Sequence, residues 1–254
     1  MSRRGFGSFH TKPHAFRYNI FIKGSVKIGD KLQVANFITG KSKQINRVNK
    51  LPIIDKGDSI HPWQLEQFNQ SEKEIILSGE IIVKDNLEYD DNTKVIIKPG
   101  TNFIIYPNAS IIFNNKVVAE GTKKKPIIFS AHDSSRPWGG VVVKGEKASG
   151  SKLHYVKISG GSNLYHNLIH YTAPLNIHDV NSFEISHCFL EENYVGDDNL
   201  HVAYSNGVIK HCEFYNSRAD AIDIDISEVN VKGNYFYNTG LSLIHISEPT
   251  RQDR

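Results

Sequence analysis

The chain has 254 residues, of which 39% are hydrophobic and only two are cysteines, and its 30 Lys and Arg against 27 Asp and Glu give a net charge of +3. No apolar run approaches the roughly 18 residues of a membrane-spanning helix, and two cysteines cannot form a disulfide framework. The composition therefore excludes a helical membrane span and a disulfide-stabilised miniprotein, and it predicts one large or two modest folded domains.

The charge is distributed unevenly along the chain. Residues 1–50 contain 11 Lys and Arg but a single acidic residue, Asp30, whereas residues 175–240 contain 11 acidic residues and three basic ones. A basic segment can contact phosphates or acidic lipid, although a solvated basic surface is the commoner meaning of such a pattern. The acidic second half would repel phosphates, so we expect no nucleic-acid partner there.

Residues 1–58 are interpreted as a small basic β module or as the tail of a missing upstream domain. Glycine turns separate three predicted strands, at Tyr18–Ile22, Ser25–Ile28 and Leu32–Val34. Residues 59–74 are predicted to be a linker and a short helix, His61–Phe68, that covers the first coil of the next domain. No apolar secretory signal is found at the start, so we expect the chain to be part of a longer multidomain protein.

From Glu74 onwards, short β-type segments follow one another at close intervals, with turns rich in glycine, proline and asparagine between them. The predicted strands are Ile75–Leu77, Ile81–Val83, Val95–Ile97, Phe103–Ile105, Ile111–Phe113, Val117–Ala119, Ile127–Phe129 and Val141–Val143. Such short strands are not stable as isolated hairpins. Stacked coils stabilise them, because each strand then pairs with the strands above and below it at about 4.8 Å.

A repeat of 22 to 25 residues is visible between Leu175 and Gly240. Three segments align at offsets of 24 and then 22 residues: Phe183–Leu190, Gly207–Phe214 and Val229–Phe236. A second set aligns in the same way: Leu175–His178, Leu200–Val202 and Ile222–Asp225. A unit of this length is too short for a propeller blade and fits one coil of a parallel β-helix. We therefore predict an all-β chain with a parallel β-helix over residues 75–240.

The segment between Ala119 and Ile158 carries a family resemblance. Ala119–Ser130 is followed by Pro137–Val143, which contains Trp-Gly-Gly, and then by Leu153–Ile158. This succession resembles bacterial right-handed parallel β-helix proteins of the pectate-lyase-like superfamily, many of them secreted or displayed on the cell surface. The resemblance implies a right-handed, single-stranded β-helix, an extracellular or cell-surface location, and a polysaccharide or cell-surface glycan as partner. It does not specify an activity, because this fold hosts lyases, hydrolases, adhesins and binding proteins.

Two other stretches carry resemblances of their own. Tyr171–Leu175, Gly196–Leu200 and Ala219–Asp223 look like β-helix domains found beside CotH-type modules. The end of the chain is different, since Leu241–Arg251 resembles the translated adapter sequence of sequencing libraries. We therefore expect residues 241–254 to be non-native, and we expect the natural β-helix to continue beyond Gly240.

Strand alternation places a strip of polar side chains on one face of the predicted coils. One outward column contains Asn176, His201 and Asp223, and the next contains His178, Ala203 and Asp225. Asp198 and Asp220 each lie two residues before an aligned strand, so they are predicted to stack one coil apart. The polar strip is defined as Asp198, His201, Asp220, Asp223 and Asp225, with His178 at its edge.

The polar strip supports three interpretations. In the first, Asp198, Asp220 and Asp223 are catalytic, because stacked carboxylates repel, one of them retains a proton, and a glycoside hydrolase needs such an acid and a base. His178, His201 and Asp225 would then contact the substrate. In the second, the three aspartates bind Ca²⁺, which prefers several oxygen ligands, and serve a lyase or a non-catalytic glycan site. In the third, the strip is the solvated face of a scaffold.

The known signatures of catalysis are incomplete. Gly196–Asp198 and Ala219–Asp223 resemble the aspartate motifs of polygalacturonase-like hydrolases, but their order is reversed and the Gly-His-Gly and Arg-x-Lys signatures are absent. A lyase also needs a basic partner, and these coils offer Lys210, Arg218 and Lys232. We therefore predict a scaffold or carbohydrate-binding domain of a bacterial surface or secreted protein. The alternative is a polysaccharide hydrolase or lyase, and the sequence does not decide whether the chain is an enzyme.

Overall fold

The computed structural model describes residues 72–193 and 195–247, together with the backbone of two short strands nearer the N-terminus. Those two strands, β1 (Leu32–Ala35) and β2 (Ser42–Ile45), pair antiparallel with Leu32 opposite Ile45. Strand β1 confirms the strand predicted at Leu32–Val34. The other two strands predicted for the basic module and the predicted helix His61–Phe68 lie outside the described residues.

Between Lys73 and Ser247 the chain winds through seven coils, each of which contributes one strand to each of three seven-stranded sheets. The first sheet contains β3 (Lys73–Leu77), β6 (Thr93–Ile97), β9 (Val117–Glu120), β12 (Ser151–His154), β17 (Phe183–Ser186), β20 (Asn206–Lys210) and β23 (Glu228–Lys232). The second contains β4 (Glu80–Val83), β7 (Asn102–Ile105), β10 (Ile127–Ala131), β13 (Val156–Ser159), β18 (Phe189–Glu191), β21 (Glu213–Ser217) and β24 (Tyr235–Thr239). The third contains β5 (Leu87–Tyr89), β8 (Ile111–Phe113), β11 (Val141–Lys144), β16 (Leu175–His178), β19 (Leu200–Ala203), β22 (Ile222–Asp225) and β25 (Ile244–Ser247).

Neighbouring strands in these sheets are parallel and in register. Leu175 pairs with Leu200, and Leu200 pairs with Ile222, as the aligned repeats predicted. The predicted parallel β-helix is therefore confirmed. The expected right-handed winding is the hand that almost all parallel β crossovers take, because right-twisted strands favour it.

The last strand, β25, lies beyond the boundary expected at Gly240. Ile244 pairs with Ile222 and Ile246 pairs with Ile224, so the third sheet continues for one more coil. These two isoleucines alternate with His245 and Ser247, which is the period that a strand requires. The segment that the sequence analysis set aside therefore has the pattern of a third-sheet strand.

The core is a stack of apolar side chains enclosed by the three sheets. Phe103 and Phe129 lie in adjacent strands with parallel rings 4.4 Å apart between centroids, and both are buried. Cys188 and Cys212 are also buried and are free thiols, with the backbone N–H of Cys188 donating to the Cys212 sulfur over 3.4 Å. Residues of like size therefore stack on one another from coil to coil, which keeps the interior close-packed.

The fourth coil carries an insertion that covers part of the third sheet. Strands β14 (Leu164–His166) and β15 (Ile169–Tyr171) form an antiparallel hairpin in which Leu164 faces Tyr171. Both side chains pack on the outward-facing Ile112 and Val142 in a small buried cluster of their own. This hairpin was not predicted, and it forms a wall beside the polar strip.

Helical structure is minor in the part of the chain that the structure describes. A single 3₁₀ turn, Glu146–Ala148, follows β11. No helix long and apolar enough to cross a bilayer occurs among the described residues.

Replacing Leu164 with alanine should loosen the hairpin without unfolding the coils, because the leucine contacts Ile112 and Val142 outside the main core. Hydrogen exchange should show β14 and β15 amides exchanging at least about tenfold faster, since local openings have their own free energies. Leu168→Ala, at the exposed turn of the hairpin, is the matched control and should change little. Equal acceleration in all seven coils would show that the hairpin belongs to the main core.

Candidate functional site

The strand register brings the predicted columns together on the outer face of the third sheet. His201 pairs with Asn176 on one side and Asp223 on the other, while Ala203 lies between His178 and Asp225. Asp198 and Asp220 precede β19 and β22, where the backbone N–H of Asn199 donates to the carbonyl oxygen of Asp220 over 3.1 Å. The two aspartates therefore stack one coil apart, as predicted.

A chain of hydrogen bonds links two histidines to a carboxylate. Nε2 of His178 lies 3.2 Å from Nδ1 of His201, and Nε2 of His201 lies 3.1 Å from Oδ2 of Asp225. Because a carboxylate only accepts, His201 carries its hydrogen on Nε2 and accepts from His178 at Nδ1. Burial, reinforced by the neighbouring His201, lowers the pKa of His178 to about 3. His178 is therefore neutral at physiological pH.

Asp198 and Asp220 are buried, with only 3% and 5% of their surface exposed. The hydroxyl of Thr172, just after the hairpin, donates to Oδ2 of Asp198 over 3.0 Å, and the backbone N–H of Ser242 donates to Oδ1 of Asp220 over 2.8 Å. Burial and then the negative charge of Asp223 raise the pKa of Asp198 to about 7. The interpretation of the strip as a solvated scaffold face does not describe these two positions, because neighbouring coils cover them.

Asp223 combines a partly exposed side chain with an oxygen that accepts no hydrogen bond. Its side chain is 18% exposed, and burial followed by repulsion from Asp225 raises its pKa. Its buried Oδ1 accepts no hydrogen bond, although Nδ1 of His245 lies 3.3 Å away. His245 belongs to the segment expected to be non-native, so we assign it no functional role.

Among the described residues, one set of side chains meets the spacing of metal ligands. His201, Asp223 and Asp225 each present one ligand atom, and these atoms lie within 4.8 Å of one another. This set shares only Asp223 with the calcium site predicted from Asp198, Asp220 and Asp223. The calcium site and the catalytic roles of those three aspartates stay predictions.

A pocket of about 410 Å³ adjoins the polar strip and shares His178 with it. Lys144 pairs with His178 from the coil below, Tyr171 enters from the hairpin, and Asp179 follows β16. Burial raises the pKa of Tyr171 to about 12 and that of Asp179 above its ordinary value, and it lowers the pKa of Lys144. Extending the predicted strand Val141–Val143 by one residue would have found Lys144, whereas Tyr171 reaches the pocket through the unpredicted hairpin.

The fold and the site define a parallel β-helix with a pocket on the outer face of one sheet and a cluster of acids and histidines beside it. The sequence matches no protein-family model, and no curated protein matches it significantly. Function is therefore inferred from the site geometry.

Proposed function

We propose that the chain is the β-helix domain of a secreted or cell-surface bacterial protein of the pectate-lyase-like type, and that it binds a polysaccharide on the outer face of its third sheet. The observation that supports this is a continuous polar path across successive coils. The path begins at Lys144 and Tyr171 in the pocket and passes through His178 and His201 to Asp225.

The pocket offers the groups that recognise a sugar. Sugar hydroxyls both donate and accept, and Lys144 supplies a donor, Asp179 an acceptor, and the Tyr171 hydroxyl either function. Ile169 adds an apolar wall, against which the C–H face of a sugar ring can pack. The volume falls within the range of ligand pockets, which combine apolar walls with a few fixed polar groups.

The same face concentrates the perturbed ionisable groups, which favours a binding role over a plain scaffold. Lys144, Tyr171, His178 and Asp198 all have pKa values moved by burial. Burying ionisable groups costs free energy. Side chains with perturbed pKa values are therefore found mainly where function requires them. A scaffold would gain stability from apolar residues at these positions.

Replacing Lys144 with methionine should weaken polysaccharide binding at least about tenfold, because a charge-assisted hydrogen bond in a pocket contributes on the order of 1.5–3 kcal/mol. The measurement is affinity electrophoresis in gels that contain neutral glucans, xylan or polygalacturonate, followed by calorimetry with the polymer that retards the protein. Lys157→Met is the matched control, since Lys157 lies over the Phe189 ring on the second sheet. Retardation by no polymer, or equal losses in both variants, would contradict the proposal.

Polysaccharide cleavage by Asp198, Asp220 and Asp223 is the second candidate. The raised pKa of Asp198 favours it, because a general acid must hold its proton near neutral pH. Lys144 also supplies a basic group that the sequence analysis had not found on this face. Release of reducing ends or of unsaturated uronates, abolished by Asp223→Asn, would make the domain an enzyme; binding without such release would leave the first candidate.

A further inference from the structure

Three side chains from two adjacent strands converge on the outer face of the third sheet. His201 comes from β19, Asp223 and Asp225 come from β22, and the in-register pairing of these strands fixes their spacing. One ligand atom from each lies within 4.8 Å of the others. We propose that His201, Asp223 and Asp225 bind a divalent transition-metal ion of the zinc class.

The donor set selects the class of metal. One imidazole nitrogen and two carboxylate oxygens suit Zn²⁺ and similar ions, and three protein ligands leave a coordination position open for water or another ligand. Ca²⁺ takes six to eight oxygen ligands, which this set does not supply. The site therefore differs in its residues and in its metal from the calcium site that the sequence suggested.

The carboxylates themselves favour a cation at this position. The buried Oδ1 of Asp223 accepts no hydrogen bond, and its neighbour Nδ1 of His245, 3.3 Å away, belongs to the segment expected to be non-native. A buried acceptor without a hydrogen bond costs free energy. Asp223 and Asp225 also point to the same face, two residues apart, so their charges repel. A bound cation would pair the open oxygen and remove the repulsion.

The surroundings of His201 match those of a metal-ligating histidine. Its Nε2 faces the carboxylates, and its Nδ1 lies 3.2 Å from Nε2 of the buried His178. A metal on Nε2 would place the hydrogen of His201 on Nδ1 and that of the neutral His178 on its own Nδ1, so that Nε2 of His178 accepts from His201 and holds the ring in place. Metal binding at this site does not require polysaccharide binding, so the two proposals can fail separately.

The test is calorimetry on the full chain, freed of metal by a chelator and titrated with Zn²⁺ alone or Ca²⁺ alone. We expect one Zn²⁺ per chain, with His201→Gln and Asp225→Asn each weakening zinc affinity at least about tenfold. Replacing zinc with Co²⁺ should give visible absorption bands that both variants lose. The Asp225 side chain is 36% exposed, so Asp225→Asn is the variant expected to keep the fold, which circular dichroism checks.

Two controls separate this site from other histidines. His132→Gln changes an exposed ring that stacks on Tyr106, and His245→Ala removes the neighbour from the last strand; neither should change zinc affinity more than about threefold. Absence of zinc binding, or zinc binding unchanged in both site variants, would overturn the proposal. Calcium bound as tightly as zinc, lost in Asp223→Asn but kept in His201→Gln, would overturn it in favour of an oxygen-only site.

Discussion

Replacing Phe103 with alanine should lower the free energy of unfolding by about 3–5 kcal/mol, the cost of removing a fully buried phenylalanine from a core. Phe103 has no exposed surface and stacks on Phe129 in the next coil, with ring centroids 4.4 Å apart. The truncation removes that contact and leaves a cavity between two coils that the parallel strands keep from collapsing. Urea denaturation followed by circular dichroism measures the loss.

The control for this variant lies in the adjacent strand of the same sheet. Ile82 points outward and is 56% exposed, so Ile82→Ala should change the free energy of unfolding by about 0.5 kcal/mol or less. Similar losses in the two variants would mean that the inward and outward faces of the second sheet have been assigned wrongly.

Replacing Asp198 with asparagine should stabilise the chain at pH 8 but not at pH 4. The pKa of Asp198 is raised to about 7 by burial and by the charge of Asp223. Between its unfolded pKa near 3.9 and this folded pKa, the unfolded chain loses the proton while the folded chain keeps it, so stability falls as pH rises. The cost is absent below pH 4 and fully present above pH 7. Asparagine mimics the protonated acid and removes that cost.

The measurement is the difference in free energy of unfolding between Asp198→Asn and the parent chain, taken from urea curves between pH 4 and pH 8. The difference should grow in favour of the variant by an amount on the order of 2 kcal/mol, because groups that do not contact Asp198 titrate alike in both proteins. Asp197→Asn, at the exposed neighbouring position, should show a much smaller trend. A difference that is independent of pH would mean that Asp198 is solvated and ionised in the folded chain.

The coils could be predicted because stacked strands need an inward-facing apolar residue at the same position of each repeat. Leu175, Leu200 and Ile222 had to align once the repeat was recognised, and the structure pairs them in that register. The hairpin could not be predicted in this way. Its strands are stabilised by contacts of Leu164 and Tyr171 with coils two and three, which are distant in sequence, and no local alternation encodes such contacts.

The candidate site was predictable in its columns but not in its accessibility. Alternation placed His201 and Asp223 side by side, and the strand pairing agrees. Asp198 is buried and accepts a hydrogen bond from Thr172, which lies 26 residues away in the chain, so alternation along a strand could not show that burial. The pocket likewise needs Lys144 and Tyr171 to meet, and their meeting depends on the hairpin.

Direct stacking of the coils is the claim on which the site, the pocket and both proposals depend, and electron–electron distance measurements between spin labels test it most directly. Ile82, Glu191 and Tyr237 lie in one outward column of the second sheet, in coils one, five and seven, and the native cysteines are buried. Cysteine-linked labels at Ile82 and Glu191 should lie about 19 Å apart, and those at Ile82 and Tyr237 about 29 Å, because each coil adds about 4.8 Å. Equal distances for the two pairs, or a shorter distance for the second pair, would contradict the stacked β-helix.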